Sequence, residues 1–317
     1  MRAPAVARFL GLVGWLLLGV LAHEGPEHEI EELSHRMALG GESADLLLER
    51  AIEYRTLGRW EEAAADLRRA ARLAPTDPLL LRELAQAQLR GGRPDEAMGT
   101  LRQALRIPDL PGPERAAILM IRCEAHAIGR AWRRALADCD EALRGDPMLV
   151  AAYLERSALQ RRLGRARDRI SGLEEGVRRT GAGVLEVERV EALLDAGQWT
   201  KALGWIQAEI ESARLTGTWR IRRARALQGL GRRAEAEEDL RGAIAEIDRR
   251  MPTDRPEAAL LLDRALAWEL LGELGPARAD YTAAAGSGAG EEAEEGLRRL
   301  RPSGSRRAVR PSGRPGG

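Results

Sequence analysis

Apolar residues recur along most of this chain at i, i+3, i+4 and i+7, the spacing that lines one face of an α-helix, and the stretches come in pairs. A short polar phrase divides each pair. It reads Leu57-Gly58-Arg59-Trp60-Glu61-Glu62-Ala63 near the start, then Gly92-Arg93-Pro94-Asp95-Glu96-Ala97, Gly197-Gln198-Trp199-Thr200-Lys201-Ala202, Leu230-Gly231-Arg232-Arg233-Ala234-Glu235-Ala236 and Leu271-Gly272-Glu273-Leu274-Gly275-Pro276-Ala277. The phrase returns about every 34 residues, and a period in this range predicts a stack of similar helical pairs rather than one globular core. Glycine punctuates the turn inside each pair, while Pro75 and Pro147 stop second helices. Alanines at recurring sites let two helix backbones approach closely, and Trp, Tyr and Leu fill the space between units. One unit cannot bury its own apolar face, so the copies are expected to stack.

Within each copy the matches hold at several places. Residues 44–77 carry Leu47, Ala51, Tyr54, Gly58, Trp60, Ala63, Leu67, Ala70 and Pro75, and residues 78–111 carry Leu81, Leu84, Ala85, Gly92, Ala97, Leu101 and Ala104. The third copy keeps Leu119, Trp132, Ala135, Ala142 and Pro147, with Cys123 and Cys139 at packing sites. In the fourth, Tyr153, Ser157, Gly164 and Leu173 fit, but Arg169 stands where a small residue is expected. The last three copies carry Val190, Leu193, Trp199, Ala202 and Ile206, then Ala224, Leu227, Gly231, Ala236, Leu240 and Ala243, then Leu261, Ala265, Trp268, Gly272, Ala277, Tyr281 and Ala284. This pattern resembles the tetratricopeptide repeat, with about seven copies over residues 44–285. The resemblance implies an all-α solenoid, a right-handed superhelix of helix-turn-helix repeats, that holds a protein or peptide partner in its concave face.

The ends read differently. Residues 1–22 have a basic start (Arg2, Arg8), an apolar run from Phe9 to Leu21 and small residues at Val20-Leu21-Ala22, the layout of a secretory signal peptide; an uncleaved anchor is the alternative. The expected setting is therefore exported, periplasmic or extracellular, with no membrane-spanning segment once the signal is removed. Residues 23–43 form a His- and Glu-rich leader helix, 286–300 a capping helix over the last apolar face, and 301–317 a basic tail expected to be disordered. The formal charge of +1 hides an uneven distribution. Between residues 23 and 300, 43 basic residues face 49 acidic ones, a net of −6 that disfavours general nucleic-acid binding.

Chemistry is sparse. Three of the four histidines, His23, His28 and His35, crowd the leader. Cleavage after Ala22 would place a free amine beside the His23 imidazole, a ligand pair for copper or zinc. On a helix, however, His28 and His35 lie two turns, about 10 Å, apart, so a charged leader with exposed histidines is the other reading. His126 has no local Ser or Cys arrangement around it, the glycines punctuate helix turns rather than cradle phosphate, and no cofactor is implied. Cys123 and Cys139 are either a disulfide or two buried thiols packing as small apolar groups.

If the first helices line the concave face, one stripe collects Arg55, Arg82, Gln86, Glu124, Arg161, Glu191, Arg225, Gln228 and Glu269. Its arginines could fork onto an acidic partner. The chain has no asparagine and only one lysine, Lys201, which sets it apart from family members that clamp a terminal carboxylate with Lys and Asn. A second arginine series, Arg50, Arg122, Arg156, Arg189, Arg223 and Arg264, precedes the small residue of the first helix, its stems covering the seam between repeats. The expected function is that of a non-catalytic scaffold for a protein or peptide. The alternatives are a metal-handling accessory using the leader histidines and a structural part of an envelope or secretion complex.

Overall fold

The computed structural model describes residues 25–252 and 256–301. The signal segment, His23 and all of the tail beyond Arg301 lie outside the described residues. Among those described there are sixteen helices and no strand, and no helix is long and apolar enough to cross a membrane. The described residues divide into two compact units, with the boundary between Leu185 and Glu186.

In the first unit, α1 (Pro26–Gly40) precedes four helix pairs: α2 (Ala44–Thr56) with α3 (Trp60–Leu73), α4 (Pro78–Arg90) with α5 (Pro94–Ala104), α6 (Gly112–Ile128) with α7 (Trp132–Gly145), and α8 (Val150–Arg162) with α9 (Ala166–Thr180). Local chemistry starts several of them. The Ser43 hydroxyl accepts from the Leu46 N–H at 3.2 Å, and Asp77 caps the Leu79 N–H at 2.8 Å with Pro78 in the first turn. The unit boundary falls within α10 (Gly183–Asp195). The second unit continues with α11 (Trp199–Ser212), then α12 (Gly217–Gly229) with α13 (Arg233–Arg250), α14 (Ala258–Leu271) with α15 (Leu274–Gly286), and finally α16 (Gly290–Arg299). On α16, Ala293 and Gly296 are buried, and a Cβ added to Gly296 would meet the Tyr281 ring at 2.4 Å.

Each turn inside a pair is built the same way. The residue after the left-handed position sends its N–H back five residues, as in Arg59 to the Tyr54 carbonyl at 2.8 Å, Arg93 to Gln88 at 2.8 Å and Arg232 to Leu227 at 2.9 Å. Glycine holds the left-handed place at Gly58, Gly92, Gly164, Gly197, Gly231 and Gly272. The third pair differs. There the strained position falls on Arg130 (φ 56°), one residue beyond Gly129.

Two small buried residues share one core cluster in most pairs: Ala51 and Ala63, Ala85 and Ala97, Cys123 and Ala135, Ala224 and Ala236, and Ala265 and Ala277; Val190 and Ala202 are buried at the same places of the fifth. The fourth pair explains its misfit. Arg169 is buried and donates its Nε–H to the Ser157 hydroxyl at 3.0 Å, a polar group at the facing small site.

The arginines before the small residue do more than cover a seam. Four fork onto an aspartate 16 residues later on the partner helix: Arg50 onto Asp66 (2.7 and 2.8 Å), Arg122 onto Asp138 (2.8 and 2.6 Å), Arg223 onto Asp239 (2.6 and 2.5 Å) and Arg264 onto Asp280 (2.8 and 2.8 Å). The aspartates are buried. The same guanidiniums also reach 16 residues back: Arg50 to Ser34 at 2.7 Å, Arg223 to Gln207 at 3.0 Å and Arg264 to Asp248 at 2.6 Å. Through Arg50, α1 plays the part of a preceding second helix. Repeats four and five vary the theme: Arg156 donates to the Gly172 carbonyl at 3.2 Å, and Arg189 lies 3.6 Å from the Trp205 ring centre. Repeat two dispenses with it, holding Leu84 and Thr100 at the two places.

Two stability predictions follow from these contacts. Asp239→Ala leaves a largely buried guanidinium without its carboxylate and should cost about 2–4 kcal/mol, whereas Arg223→Leu with Asp239→Thr, which copies repeat two, should cost about 1 kcal/mol or less. Equal losses by chemical denaturation would contradict the pairing. Arg130→Gly should stabilise by about 0.5–1 kcal/mol through relief of the left-handed strain, read as a raised unfolding midpoint.

Candidate functional site

In the first unit, the first helices α4, α6 and α8 turn one face each toward a common cleft of about 870 Å³. Its lining on α6 comes at helical spacing: Ala117, Met120, Ile121, Glu124, Ala127 and Ile128. Trp132, Leu149, Ala151, Ala158 and Leu159 continue the apolar surface, and Arg82, Glu83, Gln86, Glu155 and Arg162 border it. Ile128 is 56% exposed, and the Arg162 guanidinium lies 5.0 Å from the Trp132 ring centre. A concave apolar floor with a polar border is the usual form of a ligand site.

Of the stripe read from the sequence, Arg82, Gln86 and Glu124 come together at this cleft. Several of the charges there are already engaged. Glu83, which the stripe did not include, accepts from Arg55 and, at 3.0 Å, from Arg82, while Arg90 stands 3.3 Å from Glu124. Arg161 is exposed near the end of α8. The remaining members belong to the second unit. There Glu191 accepts from Arg222 at 2.8 Å and Arg225 at 2.5 Å. The Gln228 side chain donates to the Leu270 carbonyl at 2.9 Å and borders a separate cleft of about 550 Å³ with Trp268 and Leu271. Glu269 accepts from Arg299 at 2.9 and 3.0 Å and from the Tyr281 hydroxyl at 2.7 Å. Burial opposes its ionisation, but these donors outweigh burial and lower its pKa. Nearby in sequence, Asp263 shows the opposite balance: burial raises its pKa against the hydrogen bond from Thr218.

His28 and His35 are exposed on α1, and among the described residues no group of three or more His, Cys, Asp and Glu side chains is arranged to hold a metal ion. His126 shares the seam: its Nδ1 is 2.7 Å from Asp138, the carboxylate that also holds Arg122.

The apolar floor is the part that stripe reasoning missed. Its signal is in α6 itself, whose sequence GPERAAILMIRCEAHAI carries apolar residues on more than the one face needed for packing. The internal ion pairs generate a prediction of their own. Glu191→Gln removes the anchor of two partly exposed arginines and should cost about 0.5–2 kcal/mol at low salt, shrinking as salt screens the pairs. A loss independent of salt in thermal melts would contradict the assignment.

The tetratricopeptide repeat profile matches residues 54–121. No curated protein matches the chain in sequence. Among solved structures, the chain is similar to a tetratricopeptide repeat protein from Parabacteroides merdae at 20% identity, with 81% of this chain and 98% of that one covered and a TM-score of 0.57. It is similar to the C-terminal part of a TPR repeat-containing protein from Cytophaga hutchinsonii at 14% identity, covering 79% and 99%, with a TM-score of 0.56. Yeast Tom70 is similar at 17% identity, covering 86% and 57%, with a TM-score of 0.52. These likenesses concern the fold alone, an all-α array of helix pairs, within which residues 54–121 match the tetratricopeptide repeat profile.

Proposed function

We propose that the chain is a non-catalytic scaffold that seats a peptide segment of a partner protein in the cleft of repeats two to four. The observation that carries this reading is the apolar floor formed by Met120, Ile121, Ile128 and Trp132 in a cleft whose bordering charges include several that already pair with one another. Anchoring therefore comes from apolar side chains entering the cleft, with the polar border setting register. Arginine forks onto an acidic segment are a weaker basis. Arg55, Arg82 and Arg225 would first have to release Glu83 or Glu191, and exposed pairs return only about 0.2–1 kcal/mol each. A net of −6 over residues 23–300 argues against nucleic acid as the partner. An exported setting belongs to the same reading and stands on the basic and apolar order of residues 1–22.

The test is selection of peptides from a displayed random library against the purified protein, followed by titration of the selected peptides. Recovered sequences should share spaced apolar residues. Ile128→Glu, at a position exposed enough to spare the fold, should weaken their binding at least about tenfold, and Arg161→Ala should leave it unchanged. Acidic consensus peptides that bind Ile128→Glu as well as wild type would overturn the reading.

A further inference from the structure

Cys123 and Cys139 are the only cysteines of the chain, and they lie on α6 and α7, the two helices of repeat three. Their sulfur atoms stand 3.0 Å apart, and both side chains are completely buried. The other repeats show how unusual this is. Where Cys123 sits they hold Ala51, Ala85, Ser157, Val190, Ala224 and Ala265, and where Cys139 sits they hold Leu67, Leu101, Leu173, Ile206, Leu240 and Tyr281. The second site takes a large apolar residue in every other copy. A cysteine there gives up packing volume, and lost volume in a core is costly. The two departures coincide in one repeat, and each thiol faces the other across the helix crossing.

We propose that Cys123 and Cys139 are a disulfide-forming pair that fastens α6 to α7 directly beneath the cleft. The pair packs with Leu136 and Leu159 and against Met120, Ala127 and Trp132. Of these, Met120, Ala127, Trp132 and Leu159 also line the cleft, so the bond ties down its floor. The proposal stands on the pair's own geometry and is independent of the peptide reading.

The oxidant is a low-molecular-weight disulfide such as glutathione disulfide. One cysteine thiolate attacks it, expels one glutathione thiolate and leaves a mixed disulfide; the second cysteine then displaces the other glutathione. One S–S bond breaks and one forms. The protein dithiol gives up two electrons, and the two cysteine protons end on the two glutathione thiols. Contact with the Cys139 thiol and burial both raise the pKa of Cys123. Thiolate is therefore scarce in the closed structure, and exchange proceeds through local opening or during folding.

The experiment refolds the full chain in buffers of rising glutathione disulfide to glutathione ratio, traps free thiols with iodoacetamide and maps peptides by mass spectrometry. At oxidising ratios the expected result is a monomer without alkylated cysteine, its Cys123 and Cys139 peptides joined and its thermal midpoint about 6 °C or more above that of the reduced form. Two alkylatable cysteines at every ratio, or peptides joined between two chains, would overturn the proposal. Cys139→Leu restores the residue type of the other repeats and should melt at a midpoint that no longer depends on the ratio; a midpoint that still does would contradict the assignment. Should that variant not fold, wild-type alkylation alone decides the question.

Discussion

In most repeats the helices of a pair pack around two small buried side chains, and the closeness of that packing governs what the neighbouring positions can do. At Ala51 and Ala63 burial is complete, and with only methyl side chains at this place the two helix backbones can pack closely. At that separation an arginine one residue before the crossing can fork onto an aspartate of the partner helix, and its other arm can reach a second helix 16 residues back. A guanidinium with fixed fork geometry suits this double duty better than a lysine ammonium. That fits a chain with a single lysine. Apolar burial supplies most of the driving force for stacking, and the clips hold the helices in register. Repeat two shows that register can also be kept by Leu84 and Thr100 without a charge.

Much of this was legible before any coordinates. Helical spacing, turn glycines and paired small residues are local signals, and they led to the all-α repeat fold. The recurring arginines were visible too. Their aspartates, Asp66, Asp138, Asp239 and Asp280, share one offset, a signal in the sequence that helical spacing alone does not expose, because it joins two helices. Repeat four repays attention for the same reason. Arg169 looked like a misfit when judged alone, yet it becomes intelligible once Ser157 is seen to face it. Arg130 marks the reverse case, a turn whose glycine stands one residue too early.

The surface was harder to read. Spacing on one helix selects a face but says nothing of which charges meet across neighbouring helices. Glu83 and Glu191 each hold two arginines, so residues that look like free cations in sequence are parts of closed pairs. The members of the stripe divide between two units, with Arg55, Arg82, Gln86, Glu124 and Arg161 in the first and Glu191, Arg225, Gln228 and Glu269 in the second. What distinguishes one stretch is the apolar excess of α6, where Met120, Ile121 and Ile128 stand in line along a single helix.

The central claim is that recognition in this cleft is apolar and that the chain's own ion pairs have taken up much of the charge around it. Calorimetric titration of a cleft-binding peptide across temperature and salt tests it most directly. The account predicts a clearly negative heat-capacity change and an affinity that varies by less than about threefold between low and high salt. A heat-capacity change near zero, with affinity falling steeply as salt rises, would contradict it and return the arginines of the stripe to the leading role.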